Sequence, residues 1–206
     1  MTIKIENNEP NVMANGFNTG KAATFGSTVA VTGATTLSST LAVTGTSNFT
    51  GVATFSAAPV FSGGRTSSVV SGSGATVTLT AAQSGSFVLM DRAAGIVFTL
   101  PAPVVGLSYM FLTTVTVTSN TYKVITDAGT TFATGSLLAS SDNLASKSFL
   151  GNGTSHIATI MNSASSNATG GIIGSVQEWR CVSSTLWSVT GTIVASATPT
   201  TPWSTS

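Results

Sequence analysis

The sequence predicts an all-β protein in three parts: a polar N-terminal arm, a short trimeric β-helical or β-spiral stalk of six-residue repeats, and a C-terminal antiparallel β-sandwich or barrel. Three observations predict it. Thr, Val, Ser and Gly dominate while the helix formers Glu, Lys and Gln are scarce, a composition of strands and turns. Apolar residues recur every sixth position from Phe25 to Phe61. From Ala75 onward that spacing stops, and strand signals follow at intervals of about 8–12 residues, as in a sandwich or barrel.

Composition also excludes classes of function. Of the 206 residues only 6% are charged, against roughly 25% in an ordinary soluble domain, so solubility rests on Ser, Thr and Asn. The formal net charge is +1 with Lys and Arg scattered singly, which leaves no electrostatic footprint for nucleic acid or an anionic membrane. No apolar run reaches the roughly 18 residues of a membrane span, so no membrane insertion is expected. Cys181 is the one cysteine, too few for a disulfide framework or a cysteine-based metal site. The opening MTIKIENNEP carries acidic residues and no apolar h-region, so no signal peptide is expected and synthesis in the cytoplasm is.

Residues 1–24 are polar, Asn-rich and weakly patterned, broken by Pro10 and Gly16. Such a segment buries little apolar surface alone and reads either as an arm that orders on a partner or as a frayed terminus.

Residues 25–63 carry the repeat. Its anchors are Phe25, Val31, Leu37, Val43, Phe49, Phe55 and Phe61, several followed by Thr-Gly or Ser-Gly as in VTG, VTG, FTG and FSG. A small or apolar residue two positions earlier shares the anchor's face, so each unit reads as a very short strand plus a corner where Gly takes a positive φ. About three such units make one coil of a single-chain β-helix, so seven anchors complete only about two coils, too few to enclose a core. Three chains around one axis remove that difficulty. The scarcity of edge-guarding Lys, Glu and Pro, with Pro59 the lone guard, agrees with edges covered by sister chains. Two or three ordinary sandwich strands with accidental sixfold spacing are the alternative.

Residues 64–74, GRTSSVVSGSG, read as a Gly/Ser-rich junction. In the domain of residues 75–206, period-two alternation marks strands around Val77–Leu79, Phe87–Met90, Ile96–Leu100, Leu107–Phe111, Tyr122–Thr126, His156–Met161, Val176–Val182 and Trp187–Val194. Pro101 and Pro103 end one strand, and Ser183–Thr185 reads as a hairpin loop. The closing SATPTTPWSTS is a Pro/Thr-rich tail that ends the domain, with Trp203 free to dock on a neighbour.

Chemistry is sparse. Glycoside hydrolysis needs two facing carboxylates, and Asp91, Asp127 and Asp142 stand in or beside loops, but their neighbours give them the character of turn residues. His156 is the one histidine and no GxSxG elbow accompanies it, so it reads as a strand-surface residue rather than a triad member. Three copies around a threefold axis are the one way to gather a histidine metal site, and nothing else supports it. Glu178 and Arg180 share a strand face and can pair; Cys181 reads as a small apolar packing residue. Trp179, Trp187, Tyr109 and Tyr122 read as inward-packing aromatics, with sugar stacking as their rarer use. Asn48, Asn152 and Asn167 match the weak glycosylation pattern. The expectation is a non-enzyme without cofactor or metal.

The run TGATTLSSTLAVTGTSNFTGVATFSAAPVFSGG resembles the shaft repeats of tailed-bacteriophage fibre and head-decoration proteins. The segments GATVTLTAAQSG, AAGIVFTLPAPVVGL, TSNTYKVITDAG, NGTSHIATIMN and the closing W-x-V-x-G-T-I-V resemble a β-rich domain of phage virion proteins. The resemblance implies a homotrimer on the virion, attached by its N-terminal part, with the C-terminal part projecting. The expected function is therefore a trimeric capsid decoration, or cement, protein that binds the major capsid protein on the head surface and stabilises it. Ile5, Asn11, Val12 and Phe17 are the candidate attachment residues in the arm. The alternative is a tail fibre or spike that recognises a host surface glycan or protein.

Overall fold

Alternation of buried and solvent-facing residues along the strands sets the architecture from Val69 onward. The computed structural model describes residues 28, 30–51, 53–56, 67–72, 74–141, 145–162 and 168–206. The chain divides into two units, Met1–Pro59 and Val60–Ser206. Strands account for 43% of the described residues and no α-helix occurs among them, so the all-β class holds.

In the second unit the strands are β1 (Val69–Ser71), β2 (Thr76–Thr78), β3 (Ser86–Met90), β4 (Ile96–Thr99), β5 (Ser108–Thr113), β6 (Thr121–Ile125), β7 (Phe132–Ser141), β8 (Ser146–Asn152), β9 (Ala158–Asn162), β10 (Val176–Ser183), β11 (Leu186–Ala195) and β12 (Trp203–Ser204). They form a seven-stranded sheet in the order β1-β3-β5-β10-β11-β7-β8 and a five-stranded sheet in the order β12-β9-β6-β4-β2.

The expected antiparallel sandwich or barrel is corrected to two mixed sheets with no closed barrel. From β1 to β6 successive strands cross between the sheets instead of turning back as hairpins. Each then lies parallel to the strand two before it: β1 with β3, β3 with β5, β2 with β4, β4 with β6. The segment is a coil of three turns. Its corners are stitched between turns: Asn120, in the left-handed region at φ 57, donates its side-chain amide to the Ala94 carbonyl at 3.0 Å. Gly95 beneath it is at φ 80, and a Cβ there would stand 2.4 Å from the Thr121 carbonyl oxygen. Only glycine meets both demands.

The rest of the chain closes this coil. The hairpin of β10 and β11, with its turn where Ser183–Thr185 predicted one, lies antiparallel to β5 on one side and parallel to β7 on the other. Strands β7 and β8 were not foreseen; their Gly, Ala and Ser positions mute the alternation. The segment read as a Gly/Ser-rich junction contributes β1. The tail corrects its expectation too, because β12 pairs with β9 and Trp203 is buried within its own domain rather than left for a neighbour.

Between the sheets Val88, Met90, Tyr109, Phe111, Trp179, Trp187 and Val189 meet Ile96, Phe98, Tyr122, Val124 and Met161. Phe98 packs edge-on against Phe111 with centroids 5.5 Å apart. Full burial of each such side chain contributes about 1.5–3 kcal/mol. One polar cluster bridges the layers. The Gln177 side-chain oxygen accepts from the Thr159 hydroxyl at 2.8 Å and from the Trp179 indole at 3.1 Å, and its amide reaches the Met161 sulfur at 3.2 Å.

In the first unit no helix or strand occurs among the described residues between 28 and 56, so the expected short strands do not occur among them. A β-strand is defined by pairing, and these residues have no ladder partner among the described residues. The positive φ expected at the corners is absent at Gly33, Gly45 and Gly51, and a Cβ added at any of them would meet nothing within 4 Å.

Candidate interaction surfaces

Five of the seven predicted anchors are described, and each is exposed in the single chain: Val31 59%, Leu37 55%, Val43 51%, Phe49 69% and Phe55 59%. Phe25 and Phe61 lie outside the described residues, as do Ile5, Asn11, Val12 and Phe17. Every other described residue between 28 and 56 is exposed as well, so what sets the anchors apart is their apolar character and fixed interval.

A second surface was not foreseen. Strand register aligns the outward residues of the seven-stranded sheet in rows. One row runs Val69, Phe87, Met110, Glu178, Thr190, Ser136, Leu150. The next runs Ser71, Leu89, Leu112, Val176, Thr192, Leu138, Ser148. A third, Ser108, Arg180, Ser188, Thr134, Asn152, is wholly polar. Apolar residues therefore gather on β1, β3 and β5. The expected Glu178–Arg180 pair forms, with Nη2 of Arg180 2.7 Å from Oε1 of Glu178. Arg180 is largely solvated, so the pair contributes about 0–1 kcal/mol. No period-two reading of single strands could find these rows, because they exist only once the register is known.

The two ends of the seven-stranded sheet are guarded unequally. On edge strand β8, Lys147, itself exposed, stands opposite buried Ala139, and the Trp203 indole donates to the Phe149 carbonyl at 3.1 Å. A lysine on the edge strand and a capped carbonyl both discourage another strand from adding there. At the opposite end β1, VVS, and its partner-sheet counterpart β2, TVT, carry no charge and no proline.

The candidate chemical residues are spread apart in the structure. Asp91 accepts from the Ser71 hydroxyl and, at 3.2 Å, from the Gly72 N–H, tying β1 to the end of β3. Asp127 is exposed in the β6–β7 loop, and Asp142 lies outside the described residues. His156 sits just before β9, its Nδ1 accepting from the Asn152 N–H at 3.1 Å and its ring stacked on Trp203 at 5.6 Å. The Asn152 side-chain oxygen accepts from the N–H groups of Thr154, Ser155 and His156, so of the three glycosylation matches this one has its amide committed to the turn. Asn48 is exposed, and Asn167 lies outside the described residues. Among the described residues no group of three or more His, Cys, Asp or Glu could hold a metal ion.

Buried groups read as packing. Cys181 is 3% exposed, donates to the Ser183 carbonyl, and has its thiol pushed up by burial. Burial raises both tyrosines to about 12, and each hydroxyl donates to a carbonyl, Tyr109 to Thr80 at 2.9 Å and Tyr122 to Val115 at 2.8 Å. The inward role expected for Trp179, Trp187, Tyr109 and Tyr122 is what the structure shows, since all four are fully buried. Compared with protein-family models, curated proteins and solved structures, the chain matches none.

Proposed function

We propose that this chain is a structural virion protein, a homotrimeric capsid decoration protein that binds the major capsid protein on the outer surface of a phage head and stabilises it. One observation supports the reading: the sixfold-spaced apolar anchors from Val31 to Phe55, like all the described residues around them, are exposed in a single chain, whereas the domain after them has a closed core of its own. A stalk that is complete only in company, joined to a domain that is complete alone, suits assembly rather than catalysis. The virion and the head come from the resemblance of the repeat and of the domain's strand segments, and the polar arm of residues 1–24 supplies the grip.

Several copies, each touching more than one capsomer, multiply weak contacts into a firm staple. Heads assembled without the protein are expected to lose integrity at lower temperature and under lower internal DNA pressure than decorated heads, and adding the purified chain should restore both. Equal survival of bare and decorated heads would sink the stapling role. Imaging of the particle that places the protein on the tail, together with purified protein blocking adsorption, would replace it with receptor recognition by a fibre or spike.

A further inference from the structure

We propose that the unguarded end of the seven-stranded sheet, edge strand β1 with the outward strip Val69, Phe87 and Met110, is a second contact between copies of this chain, inside the domain and separate from the stalk. The strip is continuous by register, Val69 opposite Phe87 and Phe87 opposite Met110. Val69 is 61% and Phe87 40% exposed. Nothing charged interrupts it until Glu178, which Arg180 neutralises.

Two features select the occupant. First, the two edges are guarded unequally: β8 carries Lys147 and a capped carbonyl, while β1 carries neither charge nor proline. Among the described residues no strand pairs with the outer edge of β1, and such an edge beside an apolar strip invites association. Second, chain length fixes what is near. Only seven residues, 62–68, separate the last anchor, Phe61, from Val69, and an extended chain spans at most about 3.6 Å per residue. Once the anchors of three copies share an axis, each β1 is held within roughly 30 Å of that axis. Sister strips are then present at millimolar effective concentration without any encounter in solution. A neutral, apolar strip has no charge that would keep its own equivalents apart, and in a cyclic trimer the residues nearest the axis face their counterparts. The inference rests on the trimeric reading of the stalk, and its test is chosen to separate the two.

Full-length Val69→Cys protein would be treated with a short thiol-to-thiol cross-linker, beside a Leu150→Cys protein whose new thiol sits on the same face at the far edge. Unmodified chain is the blank, since Cys181 is buried. Sedimentation of the unmodified protein reports the stalk independently. The expected result is a trimer in which Val69→Cys cross-links at least about tenfold faster than Leu150→Cys, as a contact held at high effective concentration demands. Adding Phe87→Asp should abolish the difference while the protein still sediments as a trimer, because Phe87 faces away from the domain core. A trimer in which both positions cross-link equally slowly overturns the domain contact and spares the stalk. A trimer in which Phe87→Asp leaves rapid cross-linking unchanged overturns the role of the strip. A monomeric unmodified chain overturns both.

Discussion

Replacing Phe49 by Asp separates a shared stalk from a solitary one. In the single chain this side chain is 69% exposed, so for a monomer the change belongs with ordinary surface substitutions, within about 0.5 kcal/mol of neutral. If three copies bury it around an axis, each loses about 2 kcal/mol of apolar transfer. Three together lose about 6 kcal/mol, roughly four decades in the association constant. The carboxylates then add the cost of burial without a partner, several kcal/mol each unless they take up protons. Sedimentation equilibrium over a concentration series, with Phe49→Leu as an apolar control, measures this directly. The expected outcome is that Phe49→Leu associates nearly as the parent does and Phe49→Asp is monomeric where the parent is trimeric. A Phe49→Asp protein that keeps the parent's association constant would refute the shared-core reasoning.

Three further outcomes follow from the domain. Gln177→Leu leaves the Thr159 hydroxyl and the Trp179 indole without their acceptor, a loss of about 2–4 kcal/mol by urea unfolding at fixed protein concentration; a loss under about 0.5 kcal/mol would show that the cluster does not bind the layers. Trp179→Phe should cost more than Trp187→Phe, because the Trp179 N–H has an acceptor in Gln177 whereas the buried Trp187 N–H has none among the described residues; the reverse order in thermal melts would contradict that. Tyr109 and Tyr122, raised from 10.0 to about 12 in the fold, hold their proton more tightly folded than unfolded. Their contribution is therefore complete below pH 10 and is lost as pH climbs toward 12. Tyrosinate absorbance and circular dichroism should change together in that window, and Tyr122→Phe should shift the transition upward; ionisation of both residues with the fold intact would count against it.

Much of the domain was legible because alternation survives wherever a strand has one wet and one dry face, as in Tyr109 and Phe111 of β5 or Trp187, Val189 and Ile193 of β11. Strand β7 escaped because Gly135 sits in its middle at φ 120, where a Cβ would stand 2.0 Å from the Val189 carbonyl oxygen; the close approach that requires glycine also erases the pattern. Parallel pairing left no mark at all, since a crossing strand and a hairpin strand alternate alike. Among the surfaces, the anchors stood out by repetition alone. The Val69–Phe87–Met110 strip did not, because its members come from three distant segments that only pairing brings abreast.

The position of the β10–β11 hairpin bears on how quickly this fold can be reached. It is the centre of the larger sheet, with Val176 opposite Leu112 and Leu186 opposite Phe132, yet it follows both neighbours in the chain by about fifty residues or more. Until it arrives, the coil ends at β5 and the β7–β8 pair ends at β7, each with a bare ladder edge. Closure of such long loops must precede the gain from pairing, which slows folding. The hairpin therefore acts as a keystone: refolding should be limited by its insertion, and the half-built species that wait for it are the ones prone to aggregate.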